Sequence, residues 1–383
     1  MSYSISDYGS MIADQVRMKP YVEALRQSVK PGDVVIDLGA GTGIFALLAC
    51  RFGARRVYAI EPDDAIHVAR EIAAANGFAD RIEFIQDYST KVTLPEKARV
   101  IVSDLRGALP LYNQHLKTLA DARKRLLADG GVLIPQRDTL WAAAVSAPES
   151  YGSYAAPWDD HNYGFDMRKA RQAVINNWGS AKVKPEQLLV EPKEWARIDY
   201  TVVGPVNFHA RLTWTIEQAG EAHGMAVWFD TTLCDGVGFG NAPGRQAAVY
   251  GSAFFPWATP VKLSKADQLN VEIKADLVED DYVWTWKTEV FDQGKPESVK
   301  ANFNQSTFFA SVHSPAQLRK QSDGFVPALN EDGAVDQFIL GLMNGERRQG
   351  VIASQLIERF PHRFESWRDA LTHVAKVSKR YSR

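Results

Sequence analysis

The sequence predicts an α/β chain in three parts: a doubly wound parallel sheet first, an antiparallel β domain after it, and a small helical tail. Three observations predict this. Up to about residue 135, short continuous apolar runs alternate with helix-like segments, the pattern of strands buried on both faces and linked by crossover helices. From about 137 to 310 the chain turns to short segments rich in Val, Thr, Trp and Phe, separated by turn residues, as antiparallel sheets require. Beyond about 330, helical periodicity returns.

In the first part, the run 34–38 is continuously apolar apart from Asp37 and is ended by glycines, so it reads as a buried strand. Residues 44–51 form an apolar-faced helix, and 56–60 a second strand. The alanine-rich stretch 64–76 is helical, with Gly77 as its stop. Further strands are expected at 81–85 and 99–102, and a helix at 116–127 ended by Asp129-Gly130-Gly131. In the second part, strands are expected at 202–216, 226–233, 261–263, 269–277 and 282–290, with a helical insert at 168–177. Trp284 and Trp286 alternate on one strand face and belong to a core rather than a base-stacking platform. The tail holds three helices, 336–343, 350–359 and 364–377, a small helical or winged-helix unit.

Length and composition bound the function. The chain has 383 residues, 45% hydrophobic and 23% charged, which suits two to three folded domains and excludes a mostly disordered chain. No run approaches the ~18–20 apolar residues of a membrane helix, and Met1-Ser2-Tyr3-Ser4 is not a basic region followed by an apolar run, so no signal peptide is expected. With 44 basic and 46 acidic side chains the formal charge is −2, so neither nucleic acid nor membrane is an expected partner. Cys50 and Cys234 form no CxxC, which fits a reducing, cytoplasmic location. The eight histidines lack HxxxH or HExxH spacing, so no metal site is expected.

The strongest chemical signal is Asp37-Leu38-Gly39-Ala40-Gly41-Thr42-Gly43, between a strand and a helix. Gly39, Gly41 and Gly43 permit a sharp turn and the close approach of a ligand. The spacing is G-x-G-x-G, not the G-x-G-x-x-G of dinucleotide sites, and Asp37 beside the loop suits a cationic amino group. Glu61 closes the second strand, where an acid can accept both hydroxyls of a ribose. Asp87 ends the third strand and is placed either to face an adenine edge or to be a solvated acid. All three acids fall at the carboxyl ends of parallel strands, where open α/β sheets bind ligands. The alternatives are a dinucleotide-dependent reductase or glycines that only make a turn.

The segment from Val35 to Gly43, with Glu61, resembles class I S-adenosylmethionine-dependent methyltransferases. The likeness extends to the protein arginine methyltransferases. Met11-Ile12-Ala13-Asp14-Gln15-Val16-Arg17 with Tyr21 resembles that family's N-terminal helix, and implies that Arg17 grips the cofactor carboxylate. Tyr163-Gly164-Phe165-Asp166-Met167 resembles the start of its dimerisation arm, and His223-Gly224 with Trp228-Phe229-Asp230 its β-barrel signature. The resemblance covers roughly residues 3 to 310. It implies a Rossmann-like methyltransferase domain over 1–136, a β-barrel-like domain over 137–325 with a helical arm at about 163–185, and a homodimer. The helical or winged-helix domain is 326–383. S-adenosyl-L-methionine is the expected cofactor, bound by Arg17, Asp37, Gly39, Gly41, Gly43, Glu61 and Asp87. Residues 325–361 loosely resemble PqqD-like winged-helix modules, which implies a peptide partner for the tail; a helical cap is the plainer alternative.

The acceptor hairpin departs from that family. Where the family brackets a guanidinium with two glutamates, Ser103-Asp104-Leu105-Arg106-Gly107-Ala108-Leu109-Pro110-Leu111-Tyr112-Asn113 offers Asp104, one methylene shorter, and the uncharged Asn113. Arg106 adds a positive charge, unless it points to solvent. The family's threonine-histidine-tryptophan loop maps near Ala248-Val249-Tyr250, without the histidine. Asp104 is therefore expected to orient or deprotonate a nucleophile, with Asn113, Arg106 and Tyr112 lining the acceptor pocket. A unit charge pair at 4 Å contributes about 4 kcal/mol at an effective dielectric of 20, so the exchange disfavours guanidinium. The expected acceptor is a nitrogen or oxygen nucleophile of a small molecule or peptide. A true arginine methyltransferase and a non-catalytic cofactor-binding scaffold are the alternatives.

Overall fold

Capping side chains set the start of the chain. In α1 (Ile5–Ala13), Ser4 accepts the Asp7 N–H while the Asp7 carboxylate accepts the Ser4 N–H, a closed capping box. Asp14 ends α1 and caps α2 (Gln15–Ser28) by accepting the N–H groups of Val16 and Arg17. The result buries Arg17 and Tyr21 against the rest of the fold. The computed structural model describes residues 3–160, 163–245, 249–295, 297–312 and 314–382. The chain divides into two compact units, Met1–Val312 and His313–Arg383. No helix among the described residues is long and apolar enough to cross a membrane.

The first unit opens with five parallel strands in the order β3-β2-β1-β4-β5. They are β1 (Val34–Leu38), β2 (Arg56–Ile60), β3 (Ile82–Ile85), β4 (Ala98–Ser103) and β5 (Leu127–Ile134). The helices between them are α3 (Ile44–Arg51), α4 (Ala65–Ala75) and α5 (His115–Arg125). Every residue of β1 is buried, as a central strand covered on both faces demands. The expected helix at 116–127 ends earlier, and Asp129-Gly130-Gly131 belongs to β5 instead of stopping a helix. The β4–β5 register jumps from Ala98↔Leu127 to Val100↔Val132, and Gly130 has φ +66°. Those glycines form a bulge in an edge strand, a second structural use of the same residues.

Two antiparallel sheets follow. One has the order β7-β12-β10-β6-β8, with β11 paired to β10; the other is β15-β14-β13-β9. The strands are β6 (Arg137–Val145), β7 (Gly179–Ala181), β8 (Lys193–Asp199), β9 (Phe208–Thr215), β10 (Gly220–Cys234), β11 (Val237–Gly240), β12 (Ser252–Leu263), β13 (Gln268–Val278), β14 (Asp281–Phe291) and β15 (Val299–Ser306). Where a helical arm is expected at about 163–185, helix begins earlier, in α6 (Pro148–Asp159), continues in α7 (Arg168–Ile175) and gives way to β7; these two helices are called the arm below, and α8 (Thr307–Ala310) ends the unit. Residues 202–207 lie outside the strand expected at 202–216, which is confined to β9. One hydrophobic core runs from β1 and α3 through to Trp257, Trp284 and Trp286. A smaller cluster joins Tyr151 and Ala155 of the arm to Trp228 and Phe254.

The second unit contains α9 (Pro315–Lys320), α10 (Glu331–Leu342), α11 (Gln349–Arg359) and α12 (Trp367–Tyr381). Its core is Val335, Ile339, Ile352, Ala353, Leu356, Ala370, Val374 and Val377. There is no strand among its described residues.

Candidate active site

The glycine loop is built as the sequence predicts. Gly39, Gly41 and Gly43 have φ of +77°, +52° and +82°, a region that costs other residues about 1–2 kcal/mol. A Cβ on Gly41 would lie 2.3 Å from the Tyr8 ring of α1, and one on Gly39 would lie 2.4 Å from Leu105. The loop is thus pressed between the N-terminal helix and the start of the acceptor hairpin. Both carboxylate oxygens of Glu61 accept backbone N–H groups, from Gly41 at 2.9 Å and from Asp63 at 2.9 Å. Each retains a further lone pair for a ligand hydroxyl. Burial raises the Glu61 carboxyl above its ordinary value, against the pull of those two N–H groups.

Asp37 is fully buried. One oxygen accepts the Ala46 N–H at 2.8 Å, and the other, Oδ1, has no partner. Burial pushes its carboxyl up to about 7. A buried carboxylate oxygen without a donor is costly, and a ligand ammonium or hydroxyl at the loop would relieve it. Asp87 follows the strand whose Ile85 carbonyl accepts the Glu61 N–H at 3.1 Å. It is half-buried at the end of β3, and its Oδ1 accepts the N–H of Tyr88 at 2.7 Å.

Arg17, Asp104 and Arg106 are brought together in one network. Asp104 Oδ2 accepts Arg17 Nε at 2.5 Å and the Tyr250 hydroxyl; Oδ1 accepts Arg106 Nε at 3.1 Å. Arg106 Nη1 donates to Asp138 at 3.0 Å, and its Nη2 to the Tyr21 hydroxyl at 2.6 Å. Tyr21 in turn donates to the Ser103 carbonyl at 2.9 Å, and Tyr200 donates to Asp138. The Arg106 guanidinium also lies 5.2 Å and 5.3 Å from the ring centroids of Phe229 and Phe239. Burial alone would raise the Asp104 carboxyl, but the two guanidiniums overcome it and hold it at about 2. Burial works against the Arg17 charge too, and Asp104 outweighs it, so Arg17 is held above its ordinary value.

This geometry corrects the expectation for Arg106. Arg106 neither points to solvent nor lines an open pocket: its side chain is 0% exposed, because Asp138, Tyr21 and two aromatic faces draw it inward. Asp104, expected to orient or deprotonate a nucleophile, is buried with Oδ2 taken by Arg17 and Tyr250 and Oδ1 by Arg106, and the two guanidiniums hold its carboxyl at about 2. Asn113 sits at the exposed hairpin tip with φ +44°, its N–H donating to Asp281 at 3.1 Å, and does not join the Asp104 network. The Tyr112 ring packs on Gly107, where a Cβ would come within 3.0 Å. Of the loop expected near Ala248-Val249-Tyr250, Ala248 lies outside the described residues, while Tyr250 is in the centre of the site.

Sequence reasoning missed Asp138, Tyr200, Asn241 and the part played by Tyr250. Asn241 accepts the Phe229 N–H at 2.8 Å and donates to the carbonyls of Ala108 and Gly251, tying the hairpin to the loop that carries Tyr250. Only Asp138 left a signal: a charged residue two positions before the apolar run 140–145.

The fold and the glycine loop define a class I methyltransferase. Residues 19–135 match the family of ribosomal protein L11 methyltransferase (PrmA), and residues 136–289 match the arginine methyltransferase oligomerization subdomain. The chain is 30% identical over 255 residues to a probable protein arginine N-methyltransferase 1.2 of Arabidopsis thaliana, covering 64% of this chain and 69% of the relative. It is 32% identical over 229 residues to a probable protein arginine N-methyltransferase 6 of the same plant, covering 57% of this chain but 52% of that relative, so it spans about half that length. Two solved structures share the fold. Arabidopsis thaliana protein arginine methyltransferase 10 gives a TM-score of 0.70 at 22% identity, covering 79% of this chain and 97% of that one. The Trypanosoma brucei PRMT1 enzyme-prozyme heterotetrameric complex with AdoHcy gives 0.72 at 21%, covering 79% and 98%. The chain belongs to the protein arginine N-methyltransferase family.

Proposed function

We propose that this chain is an S-adenosyl-L-methionine-dependent methyltransferase that acts on a nitrogen or oxygen nucleophile of a small molecule or peptide. The observation that carries this is the unpartnered Asp37 Oδ1 beneath a loop of three left-handed glycines, with Glu61 beside it. When bound, the cofactor supplies an electrophilic methyl group on a sulfonium. Asp37 offers its free oxygen to an ammonium, and Glu61 its remaining lone pairs to ribose hydroxyls. Arg17 spends Nε on Asp104 and Nη1 on the Met11 carbonyl, which leaves Nη2 for a carboxylate. Tyr8 closes over Gly41 and shields the loop from water. Catalysis then rests on positioning, with the acceptor held in line by the hairpin 104–113.

A second reading, methylation of peptidyl arginine, is favoured by the names of the relatives. Calorimetry with S-adenosylhomocysteine tests the cofactor site, and methyl transfer from labelled cofactor to arginine-rich peptides and to neutral amines tests the acceptor. Absence of cofactor-product binding at millimolar concentration refutes the proposal.

The chain is also proposed to form a homodimer. The arm exposes Tyr163 and Phe165, and a groove between α1, α2 and α3 has an apolar floor of Ile12, Met18, Val22, Ile44 and Leu48 with Gln15, Lys19, Glu23 and Arg26 beside it. Sedimentation of the wild type against Tyr163→Ser/Phe165→Ser reads this directly: the variant is expected to shift to monomer.

A further inference from the structure

We infer that Arg106, locked in place by Asp138, is an internal guanidinium that occupies Asp104 and excludes cationic acceptors, so that the acceptor of this site is an uncharged nucleophile. The inference rests on the methyltransferase reading for the word acceptor, but its geometry stands by itself. A carboxylate grips a guanidinium strongly through two parallel hydrogen bonds, one to each oxygen. Asp104 cannot offer both oxygens to that fork, because both acceptor positions of Oδ2 and one of Oδ1 are already filled. Oδ2 is taken by Arg17 and the Tyr250 hydroxyl, and Oδ1 by Arg106, and the side chain is 4% exposed.

Arg106 cannot yield its place by rotating away. Its far end is fixed by Asp138 and the Tyr21 hydroxyl, and its plane lies over Phe229 and Phe239. Asp138 is itself held by Tyr200. The local charge also closes: Arg17 and Arg106 balance Asp104 and Asp138. A cationic acceptor entering here would bring a positive charge that no carboxylate in the network is free to meet, whereas a free-base amine, a hydroxyl or an amide brings none. Arg106 thus sets specificity by repulsion and prior occupancy, the negative half of molecular discrimination. Asp138 is the positioning residue that keeps it there.

The test compares L-arginine amide with L-citrulline amide, which replaces the guanidinium by a neutral urea of the same shape. Binding of each is measured calorimetrically on the full chain, with and without S-adenosylhomocysteine. The wild type is expected to bind the cation no more tightly than the neutral amide. Arg106→Gln/Asp138→Asn, which removes both charges and keeps polar groups in place, is expected to raise the arginine-to-citrulline affinity ratio tenfold or more. Arg106→Lys, which keeps the charge, is expected to leave the ratio at or below one. A wild-type preference for arginine amide of tenfold, or an unchanged ratio in the folded double variant, overturns the inference. If the double variant fails to fold, the wild-type and Arg106→Lys ratios decide it. Failure of S-adenosylhomocysteine to bind removes the methyltransferase reading but leaves the amide comparison intact, so the two failures are distinct.

Discussion

Removing Arg106 should be among the most damaging single changes in this chain, and the network gives the size of the effect. Its side chain and that of Asp138 are both 0% exposed, with 3.0 Å between Nη1 and Oδ1. Breaking a buried ion pair from one side typically costs about 3–5 kcal/mol, because the remaining charge is stranded in a low-dielectric interior. The two halves are not equivalent here. Without Arg106, Asp138 keeps only the Tyr200 hydroxyl, so Arg106→Met is expected to cost about 4 kcal/mol. Without Asp138, Arg106 still donates to Asp104 and Tyr21, so Asp138→Ala is expected to cost less, about 2–3 kcal/mol. Arg106→Met/Asp138→Ala strands neither group and should cost less than the two single losses added together, with a coupling of about 2 kcal/mol. Urea unfolding followed by tryptophan fluorescence reads the first unit, since every tryptophan except Trp367 lies there. Taking m at about 3 kcal/mol per molar, Arg106→Met should lower the midpoint by about 1.3 M. A loss below about 1 kcal/mol for Arg106→Met, or strict additivity in the double variant, would refute the claim that this pair is buried and interdependent.

Four further outcomes follow from the cofactor side. Burial raises the Asp37 carboxyl to about 7, above its unfolded value of about 4, so the folded chain binds more protons in between. Stability contributed by this group therefore falls as pH rises from about 4 to 7, and Asp37→Asn should flatten that part of the stability profile measured by denaturant titration. By the same sign, S-adenosylhomocysteine should bind more tightly as pH rises through about 7, because its ammonium favours the ionised carboxylate, and Asp37→Asn should abolish that trend in calorimetry. Glu61→Gln removes the charge from the Gly41 and Asp63 hydrogen bonds and should weaken binding of the same ligand at least ~10-fold, about 1.4 kcal/mol. Gly41→Ala puts a Cβ 2.3 Å from the Tyr8 ring at φ +52°, and should destabilise the chain by about 1–2 kcal/mol or more; adding Tyr8→Ala should restore only the steric part.

The sequence made the cofactor half of the site legible because its parts are local. Asp37 and the three glycines lie within one strand-turn-helix unit, and Glu61 lies at the end of the adjacent strand. Their roles follow from backbone geometry that spacing encodes directly. The parallel sheet was legible for the same reason, through continuous apolar runs such as 34–38. The central strand β6 was not: Leu140 to Val145 contains Trp-Ala-Ala-Ala, with little β-branched character. It is a strand because β10 and β8 pair with it on either side, a choice made by tertiary structure rather than by propensity.

The acceptor half was misread because its partners are distant along the chain. Arg106 reads as an exposed loop charge when its neighbours are Leu105 and Gly107. Its actual environment is Asp138 on β6, Tyr21 on α2 and Phe229 on β10, none of them near it in sequence. A charge in a hairpin followed by an acid at the head of a buried apolar strand is the one trace such a pair leaves. Reading the two together changes the chemistry expected of the site. An exposed Arg106 would recruit an anionic group on the substrate, whereas an Arg106 paired with Asp138 and Asp104 neutralises the acceptor acid from within. The sign of the charge stays the same; its direction decides whether the pocket attracts an ion or refuses one.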